Sequence, residues 1–128
     1  MTEQPVLCEI DGRGVATVTL NRPEVNNAYN GEMIDALLDG MKALAVNDDV
    51  RLIVLRGAGK HFQAGADLGW LLSVSGGSPE ENLEVSRRTG AAVHLLDVCP
   101  KPTMAVVQGF CVGGGTGVLA ACDVVIAA

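Results

Sequence analysis

The apolar positions of this chain fall into short β-branched runs and helical stripes that alternate along its length. Val6–Ile10 and Val15–Leu20 are two such runs joined by Asp11-Gly12-Arg13-Gly14, and an Asp-Gly pair between β-branched runs predicts a hairpin. Pro23 has no N–H to give a ladder, so the second strand should stop before it. Met33, Ile34, Leu37, Leu38, Met41, Leu44 and Ala45 then recur at three- and four-residue steps, with Asp35, Asp39 and Lys42 between them. That spacing predicts an amphipathic helix capped by Asn30 and ending near Asn47. Residues 51–56 are a short apolar run bounded by arginines, which reads as a parallel strand covered on both faces.

The next stretch, residues 57–68, carries Gly57, Gly59 and Gly65, and reads as a flexible loop able to present main-chain N–H groups to a ligand. Residues 73–78 are small and glycine-rich, so a mobile segment is expected there. Ser78, Pro79 and Glu81 make a helix start, with Ser78 as cap, Pro79 in the first turn and Glu81 as capping-box partner. This helix should run to about Asp97, before Pro100 and Pro102. A buried strand at 104–107, a glycine-rich turn at 109–117, a small-residue helix over 118–121 and a strand-like run over 122–128 complete the pattern. Strands alternating with helices in this way predict an α/β architecture with a largely parallel sheet and right-handed crossovers. The chain stops inside an apolar run, 123–128, which predicts a fragment of a longer protein.

Composition narrows the function classes. A chain of 128 residues with 48% hydrophobic content can bury one core. A formal charge of −6 with no basic stripe excludes a nucleic-acid footprint, so an anionic ligand would be met by amides or a few basic side chains. No run reaches membrane-spanning length and no leader pattern opens the chain, which makes cytoplasmic residence the expectation. Cys8, Cys99, Cys111 and Cys122 lack metal-ligand or redox spacing, and are expected to be buried, reduced and free of metal.

Three motifs in register carry a resemblance. Asn21-Arg-Pro-Glu-Val-Asn-Asn-Ala28, Phe62-Gln-Ala-Gly-Ala-Asp-Leu68, and Gly109-Phe-Cys-Val-Gly-Gly-Gly115 with Ala121-Cys-Asp123 together resemble the crotonase (enoyl-CoA hydratase/isomerase) family across almost the whole chain. The resemblance implies a spiral of strand–strand–helix repeats whose C-terminal helical part is missing here. It also implies an acyl-CoA thioester substrate, no cofactor apart from the coenzyme A carried by the substrate, and a homotrimer or homohexamer. By the same resemblance, the amides of Ala66 and Gly114 hold the thioester oxygen, and main-chain groups of Glu24, Val25, Asn26, Ala64, Asp67, Leu68 and Gly69 contact coenzyme A.

The chemistry suits the loops, because a thioester carbonyl gains negative charge in an enolate and two fixed N–H groups stabilise it without reorganising. The alternative is that the glycines only permit tight strand-to-helix turns. Asp67 reads better as a helix cap than as a catalytic acid. His61 reads as a solvated loop residue and Cys111 as buried, while Arg22 could serve structure or the ligand's phosphates. One departure stands out: the first water-activating carboxylate of typical hydratases falls at Gly117, and the second lies beyond Ala128. Residues 1–128 alone are therefore expected to be inactive. The small residue at Gly117, with room for substrate, and the stretch Asp67-Leu-Gly-Trp70 resemble hydratases of glutaconyl-type thioesters. Other readings are a different crotonase-family reaction (isomerase or hydrolase), a catalytically silent acyl-CoA binder, and a dinucleotide site at Gly115-Thr-Gly117-Val-Leu-Ala120.

Overall fold

The structure, a computed structural model, describes residues 3–128. Five strands form one sheet in the order β1-β2-β3-β4-β5: Val6–Ile10, Val15–Leu20, Leu52–Gly57, Thr103–Val107 and Val124–Ala127. β1 and β2 pair antiparallel across the predicted Asp-Gly turn, where Gly14 takes φ 83°, and every later pair is parallel. The helices are α1 (Gly31–Ala45), α2 (Leu68–Ser75), α3 (Pro79–Asp97) and α4 (Gly114–Ala121). A sheet whose strands follow sequence order, joined by same-handed crossovers, must carry its helices on one face. That is what is found: α1 lies against β1, β2 and α3, while α3 touches α2 and α4.

The core lies between that helical layer and one face of the sheet. Ala16, Val18 and Leu20 of β2 stand in register with Ile53, Leu55 and Gly57 of β3, and Leu55 is in register with Ala105 of β4. Apart from Gly57, which has no side chain, all of these are buried, as are Met33, Ile34, Leu37, Leu38, Met41 and Leu44 of α1. Each large side chain so buried contributes about 1.5–3 kcal/mol. Residues 51–56 are not covered on both faces as expected: burial alternates along β3, and all of β5 is exposed. Sequence order is why. The crossovers place no helix on the second face, so within residues 3–128 only one side of the sheet has a partner layer.

Local chemistry sets the helix starts. The Asn30 side chain accepts from the Met33 N–H at 2.9 Å, and Ser78 and Glu81 form the reciprocal capping box at 3.1 Å. Residues 73–75 belong to α2, where a mobile segment was expected, because the Asp67 side chain starts a helix early enough to include them. Similarly α4 begins at Gly114, four residues before the expected start, so Gly117 lies inside the helix and not in the turn.

A second, minimal ladder crosses the ends of the parallel strands. It consists of two isolated parallel rungs, Tyr29 with Ala66 and Gln63 with Cys111. Each of β2, β3 and β4 is thus followed by a short extended segment and then by helix, which gives three strand–strand–helix repeats with the second strand reduced to a rung. This is the spiral the resemblance implied. No helix among the described residues is long and apolar enough to cross a membrane.

Candidate functional site

The loop between β3 and α2 is pinned, contrary to the flexible loop expected from its glycines. Asn27 is wholly buried in the left-handed region (φ 60°). Its Nδ2 lies 2.8 Å from the carbonyl of Ala58, 2.9 Å from that of His61 and 3.2 Å from that of Phe62, while its Oδ1 accepts from the Arg22 N–H. Gln108 Nε2 donates to the carbonyls of Gly57 and Gly59. Buried carbonyls need donors, and here side chains supply them, so the glycines serve close approach more than motion. At Gly57 a Cβ would sit 2.5 Å from the Phe62 carbonyl oxygen.

From this anchor the ladder orients the next residues. Tyr29 N–H donates to Gly65 O and Asp67 N–H to Tyr29 O, both at 2.8 Å. In a parallel rung the residue between those two bonds turns its own N–H to the other side. The Ala66 N–H is that residue's, and among the described residues it has no protein acceptor. On the neighbouring turn Gly113 (φ 59°) leads into α4, and Gly114, as the first residue of the helix, has an N–H without an intrahelical partner. It too finds no acceptor among the described residues. The turns touch: at Gly65 (φ 85°) a Cβ would lie 3.2 Å from Val112 O and 3.7 Å from Gly114 N.

The remaining residues named from sequence sort into three groups. Asp67 stands behind the donor loop. Its Oδ1 accepts from the Trp70 N–H at 3.1 Å and its Oδ2 from Arg22 Nη2 at 3.1 Å, while Arg22 Nη1 donates to Ala28 O at 2.6 Å. The Trp70 N–H first, and then Arg22, hold the Asp67 carboxyl below the usual carboxylate range. Both Asp67 and Arg22 thus have a structural role on this loop. The second group is exposed. Glu24 and Val25 lie in a short 3₁₀ turn (Pro23–Val25) whose Pro23 sits beside Gly59, Asn26 caps that turn, and Leu68 and Gly69 open α2, with Ala64 half-buried on the donor loop. Gly117 forms the third: no atom lies within 4 Å of where its Cβ would be.

Several expectations change at the side chains. His61 is not simply solvated: its ring stacks on Phe110 at 3.7 Å and its Nδ1 accepts from the Phe110 N–H, tying the two turns together. The cysteines are free, but none is fully buried and Cys8 is exposed. Partial burial raises the Cys111 thiol, which counts against a thiolate nucleophile. Among the described residues no cluster of histidine, cysteine and carboxylate could hold a metal. Sequence reasoning missed Asn27, Gln63, Gln108 and Tyr29; the paired asparagines, both with positive φ, were the one available signal. Tyr29 lies against Gly114, where a Cβ would meet its ring at 2.7 Å, and meets Trp70 edge-on at 6.0 Å. Beside them is a cavity of about 70 Å³ lined by Tyr29, Gln63, Thr89, Val93, Gly114 and Val118 among others.

The turns that carry the unpaired amides of Ala66 and Gly114 thus meet at Gly65, at the ends of the parallel strands of a one-sided α/β spiral. The family model for enoyl-CoA hydratase/isomerase matches residues 11–128, and the chain belongs to that family. It is similar to the 1,2-epoxyphenylacetyl-CoA isomerase of Escherichia coli, with 38% identity over 91% of this chain and 45% of that protein. It is equally similar to the hydroxycinnamoyl-CoA hydratase-lyase of Pseudomonas fluorescens, with 38% identity over 90% of this chain and 42% of the other. A solved structure assigned as an enoyl-CoA hydratase/isomerase (crotonase) from Legionella pneumophila superposes with a TM-score of 0.92 at 40% identity, covering 98% of this chain and 48% of that one. The fold is thus the crotonase fold, and the chain spans less than half the length of these relatives.

Proposed function

We propose that the complete protein hydrates an α,β-unsaturated acyl-CoA thioester, with the amides of Ala66 and Gly114 holding the thioester oxygen. The observation that carries this reading is the pair of unpaired N–H groups on two turns held in contact at Gly65. Water adds through its oxygen to the β-carbon as a carboxylate takes its proton, the carbonyl oxygen takes up the π electrons as an enolate, and the carboxylic acid then returns that proton to the α-carbon. Fixed donors at that oxygen act most strongly where charge develops, and the N-terminal end of α4 adds its dipole at Gly114. Coenzyme A would run along main-chain groups of Glu24, Val25, Asn26, Ala64, Asp67, Leu68 and Gly69, which suits an acidic chain.

The proton traffic needs a carboxylate that this part does not offer, since Asp67 is engaged by Trp70 and Arg22 and Gly117 has no side chain. It would come from a position after residue 128. Open space beside Gly117 favours a branched, glutaconyl-type acyl group over a straight one. Family relatives named as isomerase and hydratase-lyase keep other enolate reactions as the second reading. A dinucleotide site is disfavoured by geometry, as Gly115 and Gly117 both lie within α4 and not in the turn where such a motif meets a pyrophosphate. A homotrimer or homohexamer is the proposed assembly.

The test is turnover by the full-length protein of crotonyl-CoA and 3-methylglutaconyl-CoA, followed by loss of the enoyl absorbance and by product mass. Addition of one water is expected. A product of unchanged mass, or free coenzyme A, would replace hydration by isomerisation or hydrolysis, and binding without turnover would make the protein a silent acyl-CoA binder.

A further inference from the structure

The cavity beside Gly114 has mostly apolar walls, from Met33, Ile34, Leu37, Val93, Val118 and the Tyr29 ring, yet one of its polar side chains has a buried atom without any partner. Gln63 is 3% exposed, its Oε1 is buried and unpartnered, and its Nε2 makes no hydrogen bond to the described residues. Thr89, the other polar lining residue besides Tyr29, is already engaged, its hydroxyl donating to Val85 O at 2.8 Å. An apolar residue would fill the place of Gln63 without leaving a buried amide unsatisfied, so an unpaired carboxamide here marks a contact completed by something else. Gln63 lines the cavity, so a partner can approach it from there.

The backbone makes room for this arrangement. A Cβ at Gly115 would come within 2.8 Å of Gln63 Oε1, and one at Gly114 within 2.8 Å of the Tyr29 hydroxyl. The two glycines at the start of α4 thus make room for these two polar groups. A volume of about 70 Å³ is several times what one water requires, so a short or branched group fits. A carboxamide both donates and accepts, and so can pair with a hydroxyl or a carboxyl.

We infer that Gln63 is a specificity-determining residue, and that the acyl groups this site takes carry an oxygen substituent, hydroxyl or carboxyl, that enters the cavity and pairs with its carboxamide. The inference rests on the acyl-CoA reading above and adds the substrate class. The chemistry follows from unequal costs: a plain alkyl chain leaves the buried amide unpaired, whereas an oxygenated chain satisfies it.

Titration of the full-length protein with butyryl-CoA, 4-hydroxybutyryl-CoA and glutaryl-CoA tests it, because these saturated thioesters bind without turning over. At least one oxygenated thioester is expected to bind about tenfold or more tighter than butyryl-CoA, and in Gln63→Met that preference should collapse. Equal affinities in the wild type, or a preference that survives Gln63→Met, overturn the inference while leaving the acyl-CoA reading intact. If Gln63→Met does not fold, as judged by its melting transition, the wild-type comparison decides alone. Failure of every thioester to bind overturns the acyl-CoA reading and this inference with it.

Discussion

Replacing Gly114 by proline removes one proposed donor at a position where helix geometry tolerates the change. Gly114 is the first residue of α4, where the N–H has no intrahelical role and proline's fixed φ is welcome. The residue before it, Gly113, has φ 59° and ψ −131°, a conformation that glycine alone can hold ahead of a proline. Proline also brings a Cβ, which would meet the Tyr29 ring at 2.7 Å. Gly114→Ala brings the same Cβ and keeps the N–H, so the ratio between the two variants isolates the donor. Loss of one oxyanion donor costs about 2.7–4 kcal/mol, or about 10²–10³ in kcat. The full-length variants should therefore differ in kcat by that factor with matching melting temperatures. If Gly114→Pro turns over within about threefold of Gly114→Ala, the Gly114 amide is not at the reacting oxygen and the two-donor site is wrong.

Three further outcomes are expected. Asn27→Ala strands the carbonyls of Ala58, His61 and Phe62 and the Arg22 N–H in a buried place, so denaturant unfolding should show a loss of about 3 kcal/mol or more. Asp67→Asn keeps a good helix cap but loses the charge facing Arg22. Because the Asp67 carboxyl is held below its ordinary value, its contribution is present above about pH 3.9 and fades as pH falls through the lower folded value, so the wild type's stability advantage over this variant should be seen at pH 6–7 and shrink on acidification below about pH 4. Gly117→Glu, entering open space, should leave the melting temperature nearly unchanged while lowering kcat/KM for a branched enoyl-CoA more than for crotonyl-CoA.

The parts of the fold that could be read from sequence are those with local causes. Ser78, Pro79 and Glu81 act within one turn, and the stripe from Met33 to Leu44 repeats often enough to fix both helix type and buried face. The second ladder leaves no such trace, because one rung at Tyr29 and Ala66 and one at Gln63 and Cys111 create no period. Gly114 and Gly115 are poor helix formers, which is why the start of α4 was placed too late. They are helical because Tyr29 and Gln63 occupy the space that side chains would take, so a tertiary requirement overrides propensity. Mobility was over-read for the same reason: Asn27 reaches more than 30 residues along the chain to pin the glycine loop, and Arg22 reaches 45 to meet Asp67. The two proposed donors were reachable only through the three motifs taken together, while Gln63 was passed over because glutamine in a loop is ordinarily solvated.

Backbone amides can do only part of the chemistry of an enolate. Two N–H groups lower the energy of an enolate whatever formed it, but they neither take nor deliver a proton at carbon. The proposed site of Ala66 and Gly114 would therefore serve any reaction that passes through the same oxyanion, and the choice among such reactions would lie with the groups that move protons. The relatives fit this logic, since an isomerase and a hydratase-lyase each keep 38% identity with this one stretch while their named reactions differ. In the proposed site the choice of reaction would rest with the proton-moving carboxylate, while Gly117 and Gln63 would shape and read the acyl group. Substitutions at Gln63 and Gly117 should accordingly move substrate preference, whereas loss of that carboxylate should abolish turnover and leave thioester binding by the two amides in place.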